Sequence, residues 1–189
     1  MRRGLLIVIS GPSGVGKDTV IKRLLELDPN LRYSVSYTTR PPRPGEVDGV
    51  NYHFVSRADF ESLIREGAFL EHATYDANLY GTPIAQLDDV RASGHDIVLK
   101  IDVQGAEQVR QRAPDALRIF LAPPSMDELL RRRTQRHSES ARDQASRQLI
   151  AEDEMALASH FDHLVVNDDV ERAAQEILAI IQSVRERQT

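Results

Sequence analysis

The sequence predicts an α/β fold: a parallel sheet flanked by helices, carrying a small mixed α+β insertion and a polar helical segment. Three observations point there. Residues 5–9 (LLIVI) form a wholly apolar run, the pattern of a strand buried on both faces. A glycine-rich turn at 11–16 leads straight into a helical pattern. Strand-like and helix-like stretches then alternate towards the C-terminus, the order that a parallel sheet requires of its connections.

The elements follow in order. After the turn, Val20, Ile21, Leu24 and Leu25 give a helical face over 17–27 that stops at Asp28-Pro29. The stretch from Tyr33 to about Thr82 is rich in Thr, Arg, Pro and Tyr. It holds strand-like pieces at 33–37, 52–55 and 69–75. Between the last two, Ser56 and Asp59 have the spacing of a capping box, and Gly67 marks a helix stop. Alternation resumes with Pro83 opening a helix that ends near Gly94. A strand is expected at 97–101, a helix at 106–112 and a strand at 117–121. Pro123-Pro124 precedes a second capping box, Ser125 with Glu128. Residues 131–147 are dense in Arg, Ser, Gln and Glu. A helix at 149–157, a short strand at 164–166 and a closing helix at 170–187 complete the plan, with Asp168 placed to cap the last. The reading is one domain over 1–189, with its core in 1–33, 84–124 and 148–189, an insertion at 34–83 and a lid-like segment at 125–147.

Composition narrows the function. Forty-one per cent hydrophobic residues suffice for a core, and 28% charged residues of both signs argue against disorder. Apolar runs stay well short of the roughly 20 residues of a membrane span, and the N-terminal one is too short for a signal peptide. The absence of cysteine excludes disulfides, thiolate metal sites and cysteine nucleophiles. It fits a cytoplasmic protein. A net charge of −5 does not favour nucleic acid as a partner. Lysine occurs only at 17, 22 and 100 among 24 basic residues, which makes each position informative.

The segment GPSGVGKDT, residues 11–19, has the spacing of a phosphate-binding loop between a buried strand and a helix. The loop of Gly11, Pro12, Ser13, Gly14, Val15 and Gly16 lends its backbone amides, proline's excepted, and with the helix N-terminus they form a cradle for anions. Lys17 would reach the terminal phosphates of a nucleotide. The position after the lysine, where a hydroxyl normally binds Mg²⁺, holds Asp18, with Thr19 next. Either is the candidate metal contact.

A second cluster lies in SYTTRPPRPGEVDGVNYHF, residues 36–54. Arg40 and Arg43 stand three apart in a proline-stiffened turn, and arginine forks bind phosphate oxygens in pairs. Tyr52 and Tyr80 add hydroxyls. Together with FLEHA (69–73), LYGTP (79–83), IDVQGA (101–106) and VVNDD (165–169), these stretches resemble the guanylate kinase family in order and spacing over most of the chain. The resemblance implies the P-loop nucleoside monophosphate kinase fold and transfer of the γ-phosphoryl group of ATP to GMP, with magnesium entering as MgATP.

By that resemblance Arg40, Arg43, Tyr52 and Tyr80 bind the GMP phosphate, and Ser36, Glu71 and Thr82 read guanine. An ionised Glu71 would accept from N1–H and the 2-amino group, while the hydroxyls of Ser36 and Thr82 would donate to O6. Adenine would leave the carboxylate unpaired. Asp102 would orient GMP or a magnesium-bound water. Where the family pattern calls for an acidic residue, this chain has Lys100, which suggests a charge exchange with Asp18. Arg132, Arg136 and Arg147 align with the lid arginines, their glycine neighbours replaced by Gln135 and His137. Asn167 aligns with the adenine side. Lys17, Arg43, Arg136 and Arg147 would be the catalytic set.

The acceptor of such a reaction is a phosphate monoester with a second pKa of about 6. It is already nucleophilic at neutral pH and needs no general base. Two other readings use the same features. In a P-loop kinase for another phosphorylated acceptor, the base-reading set has no role. A guanylate-kinase-like binding module without catalysis has no need of the intact Gly11, Gly16 and Lys17. The sequence leaves open the choice between GMP and dGMP and the oligomeric state.

Overall fold

A computed structural model describes residues 3–75, 77–134 and 152–188, with the backbone alone at 133 and 134. Strand β1 (Leu6–Ser10) is buried along its whole length and lies at the centre of a five-stranded parallel sheet. On one side it pairs with β7 (Asp96–Lys100), which pairs in turn with β2 (Leu31–Tyr33). On the other it pairs with β8 (Leu117–Ala122), which carries β9 (His163–Val166) at the edge.

Alternation along β1 divides the core in two. Leu5, Ile7 and Ile9 face α1 (Lys17–Leu27) and α6 (Val170–Arg187), where they meet Leu24, Ile177 and Ile181. Leu6 and Val8 face α3 (Ile84–Ala92) and α4 (Val103–Arg112), packing with Leu87, Leu99 and Val109. A strand sandwiched in this way must be apolar at every position, which is why residues 5–9 show no polar alternation.

The insertion forms a second sheet of four short strands, in the order β4-β3-β6-β5. These are β3 (Tyr37–Thr38), β4 (His53–Phe54), β5 (Phe69–Tyr75) and β6 (Asn78–Pro83). Helix α2 (Arg57–Arg65) covers it, stacking Phe60 on Phe69 at 4.6 Å between ring centroids. Ser56 caps α2: its hydroxyl accepts from the Asp59 amide and donates to the Asp59 carboxylate.

Four expectations change. The stretch 33–37 is not one strand. Tyr33 ends β2 in the main sheet, and Tyr37 begins β3 in the other. The crossing is held by the Ser34 amide on the Val98 carbonyl and the Val35 amide on Gln86 Oε1. Residues 78–83 form a strand although Gly81 and Pro83 are poor strand formers, because β5 and β3 pair with it on both sides. Helix α4 begins at Val103, three residues earlier than expected, because Asp102 caps it by accepting from the Gly105 amide at 2.7 Å. The cap of α6 is Asp169, not Asp168, which instead pairs with Arg172.

Helix α5 (Met126–Thr134) starts where Ser125 Oγ accepts the Glu128 amide. Residues 152–156 are helical and run into a 3₁₀ turn at Leu157–His160. No helix among the described residues is long and apolar enough to cross a membrane.

Candidate active site

Parallel strands present their carboxyl ends on one edge, the usual place for a ligand crevice in this class of sheet. Here that edge gathers the glycine loop after β1, Lys100 at the end of β7 with Asp102 just beyond it, and Asn167 after β9. The loop folds back on itself, with the Val15 amide on the Pro12 carbonyl and Lys17 Nζ donating to the carbonyls of Gly11 (2.5 Å) and Pro12 (3.2 Å). Burial lowers the Lys17 pKa from 10.5 to about 8, although the negative charge of Glu154 works the other way.

Asn167 and Arg132 hold the loop from behind. The buried Asn167 side chain donates to the Val15 carbonyl at 2.8 Å, and Arg132 reaches the carbonyls of Val15 and Asn167. Glu128 steadies Arg132 at 2.7 Å. Gly16 is required by this packing. It has φ 101°, and a Cβ there would lie 2.5 Å from Asn167 Nδ2. Asn167 Oδ1 is buried without a hydrogen-bond partner. Arg132 and Asn167 therefore act here as the frame of the loop.

Asp18 and Thr19 are exposed at the start of α1. Lys100 Nζ donates to Asp18 Oδ1 at 2.5 Å and lies 5.5 Å from the centroid of the Tyr52 ring. Burial acts to lower the Lys100 pKa, but Tyr33, Tyr52 and Asp18 outweigh it and raise it. The charge exchange expected between positions 18 and 100 is thus a direct contact.

On the second sheet Glu71 and Thr82 face each other across β5 and β6, past an irregularity between Phe69 and Glu71. Glu71 is 3% exposed and Thr82 fully buried. Thr82 Oγ1 donates to Glu71 Oε1 at 2.6 Å. Burial pushes the Glu71 carboxyl up to about 7, Thr82 restrains the rise and the charge of Asp102 adds to it. Ser36 is half-buried, and its carbonyl accepts the His53 amide.

Arg40 sits under Tyr52, its guanidinium 5.7 Å from the ring centroid, and Tyr52 and Tyr80 meet edge-on at 5.9 Å. Its Nη2 donates to both oxygens of Glu46, at 2.8 and 2.9 Å, and its Nη1 to the Pro41 carbonyl at 2.7 Å; the pairing with Glu46 raises the Arg40 pKa. Arg43 gives Glu46 its backbone amide, and its side chain is exposed. Arg136 and Arg147, with Gln135 and His137, lie outside the described residues.

Two site residues escaped the sequence reading. Glu46 was legible only as an acid among basic neighbours. Gly105, inside α4, leaves room for Glu71: a Cβ there would lie 2.5 Å from Glu71 Oε2. Away from the site, a cavity of about 480 Å³ beside α4 is lined by Val103, Arg110, Arg118 and Phe161. Its arginines are already paired with Glu107 and Asp162.

A metal ion would meet hard oxygen donors here: Asp18, Thr19 and Asp102. No group of three or more His, Cys, Asp or Glu side chains placed to hold a metal occurs among the described residues. This donor set suits Mg²⁺ carried in on nucleotide phosphates, since that ion keeps several waters and uses few protein ligands.

Comparison with known proteins agrees with this arrangement. The guanylate kinase family model matches residues 3–184. A guanylate kinase of Rubrobacter xylanophilus is 50% identical over 184 residues, covering 97% of this chain and 96% of that protein. One from Lactococcus lactis is 49% identical, covering 96% and 88%. The crystal structure of guanylate kinase from Anaplasma phagocytophilum superposes with a TM-score of 0.80 at 36% identity, over 96% of this chain and 86% of that one. A gluconokinase from Sinorhizobium meliloti (TM-score 0.54, 17% identity) shares the fold. By sequence, fold and the meeting of a phosphate loop with a buried acid on a second sheet, the chain belongs to the guanylate kinase family, the ATP:GMP phosphotransferases.

Proposed function

We propose that the loop of residues 11–19 holds the phosphates of ATP while the second sheet holds GMP, and that the γ-phosphoryl group passes directly between them to give ADP and GDP. The observation that carries this division is Glu71: a buried carboxylate, held by Thr82, on a sheet of its own beside the loop. An ionised carboxylate in that setting accepts well from the two adjacent donors of guanine and poorly from adenine.

Arg40, Arg43, Tyr52 and Tyr80 take the GMP phosphate in this reading, with Ser36 and Asp102 at the base and sugar end. Glu46 keeps Arg40 oriented until the phosphate arrives. Lys17, with its pKa lowered to about 8, gains its full charge beside the ATP phosphates, and Arg132 and Asn167 hold the loop in shape. Mg²⁺ bound with ATP would neutralise phosphate charge, with Asp18 or Thr19 as its nearest protein donors. The resemblance adds Arg136 and Arg147 from a lid over 125–147, closing on a core of 1–33, 84–124 and 148–189, with 34–83 as the GMP region. Positioning two anions in line and cancelling their repulsion is then the whole of catalysis. We place this activity in the cytoplasm, in purine nucleotide recycling, which fits a chain without cysteine.

The test is ADP formation from MgATP with GMP, AMP, UMP, CMP or no acceptor. Turnover with GMP alone is expected, with dGMP as a further acceptor to be measured. Equal turnover with AMP would remove Glu71 from its role. Binding of GMP without turnover would indicate a binding module.

A further inference from the structure

Lys100 stands where the two halves of the site meet. Its side chain is 17% exposed, and its ammonium touches Asp18 at the mouth of the phosphate loop while lying 5.5 Å from the Tyr52 ring centroid on the other side. Its charge is felt at Lys17 in the loop and at Tyr33 at the end of β2. Asp18, by contrast, is 78% exposed. A carboxylate so far into water is weakly held by its partner and rehydrates readily when released.

We propose that Lys100 is a ligand of the acceptor phosphate, and that Asp18 is its resting counter-ion, displaced when GMP binds. The proposal rests on the reading above, in which Arg40, Tyr52 and Tyr80 face that phosphate. A phosphate near its second ionisation offers more charge and more acceptor oxygens than a solvated carboxylate, so it wins the ammonium. Lys100 then supplies positive charge at the point where the two phosphate chains approach and repel each other, the place where a fixed cation helps transfer most.

The test compares GMP with guanosine, which lacks the phosphate, by NMR titration without ATP or metal. Lys100→Met is expected to weaken GMP about tenfold or more and to leave guanosine unchanged. Asp18→Asn is expected to tighten GMP by about two- to fivefold in the wild-type background and to have no effect beside Lys100→Met. Unchanged GMP affinity in Lys100→Met overturns the proposal. So does an equal loss of GMP and guanosine, which marks a structural lysine, or an Asp18→Asn effect that persists without Lys100. Failure of the wild-type chain to bind either compound would instead sink the assignment of the second sheet.

Discussion

At the scale of single residues, the site is built from groups held away from their ordinary protonation. The Glu71 carboxyl has an ordinary value of 4.5 and stands at about 7 in the fold. Between those values the folded chain keeps a proton that the unfolded chain has lost, so stability falls as pH rises through that window. Above it the cost is on the order of 3–4 kcal/mol. Glu71→Gln is therefore expected to raise Tm at a pH of about 8 but not at about 4, and calorimetry at both values checks this. Guanine needs the ionised form. Guanosine affinity should rise with pH towards a plateau above about 7, and the step should vanish in Glu71→Gln. A neighbouring position gives a steric test. Gly105→Ala forces a methyl group against Glu71 Oε2 and should raise KM for GMP about tenfold or more while leaving KM for ATP unchanged. Steady-state kinetics in both substrates separates the two.

Elements are tied by a few buried polar contacts whose partners lie far apart in the chain. Asp96 opens β7 fully buried, accepting the Leu5 amide at 2.7 Å and Arg185 Nε of α6 at 2.6 Å. Arg185 Nη2 also pairs with Asp28 Oδ2 at 2.7 Å. Removing the arginine strands a buried carboxylate. Arg185→Ala should cost about 3–5 kcal/mol, read by urea unfolding. Asp96→Asn with Arg185→Met should cost less than the sum of the single changes. Both positions lie at the opposite end of β7 from Lys100, so KM values should not move. Element limits were legible where the cap was local. Ser56 and Ser125 cap their helices as their spacing suggests, and the closing helix was found from its apolar face. Asp168 and Asp169 look alike in sequence, and only the backbone decides which accepts the Arg172 amide. The division of 33–37 between two sheets was not legible, because a strand pattern does not name its partner.

For the whole molecule, stability lies in the two apolar layers and the site subtracts from it. Lys17 is the clearest case. Its folded value of about 8 lies below the ordinary 10.5, so the folded chain sheds that proton first. Stability is lowest below about 8 and recovers as pH rises towards 10.5. Lys17→Met should thus raise Tm near neutral pH while abolishing turnover, a trade of function against stability. A drop in Tm would mean that the contacts of Lys17 with Gly11 and Pro12 outweigh its burial. Nucleotides should reverse the deficit. Each adds about 2.7 kcal/mol at a hundred times its Kd, and scans with ATP, GMP and both would measure it.

What the sequence by itself determined is local or periodic. Residues 5–9 read as a strand buried on both faces, Gly11, Gly16 and Lys17 could be placed as a phosphate loop by spacing, and the stretches from 36–54 to 165–169 carried the family. An unexpected lysine at 100 and aspartate at 18 could even be paired, since both fall at the ends of elements that the fold class brings to one edge. The tertiary structure decided what needs contacts between distant segments. It turned Thr82 towards Glu71, set Glu46 against Nη2 of Arg40, made Asn167 and Arg132 the frame of the loop, and gave Gly105 its reason. Hydrogen-bond direction and burial depend on which strands pair and in what register, and no spacing within one segment encodes that.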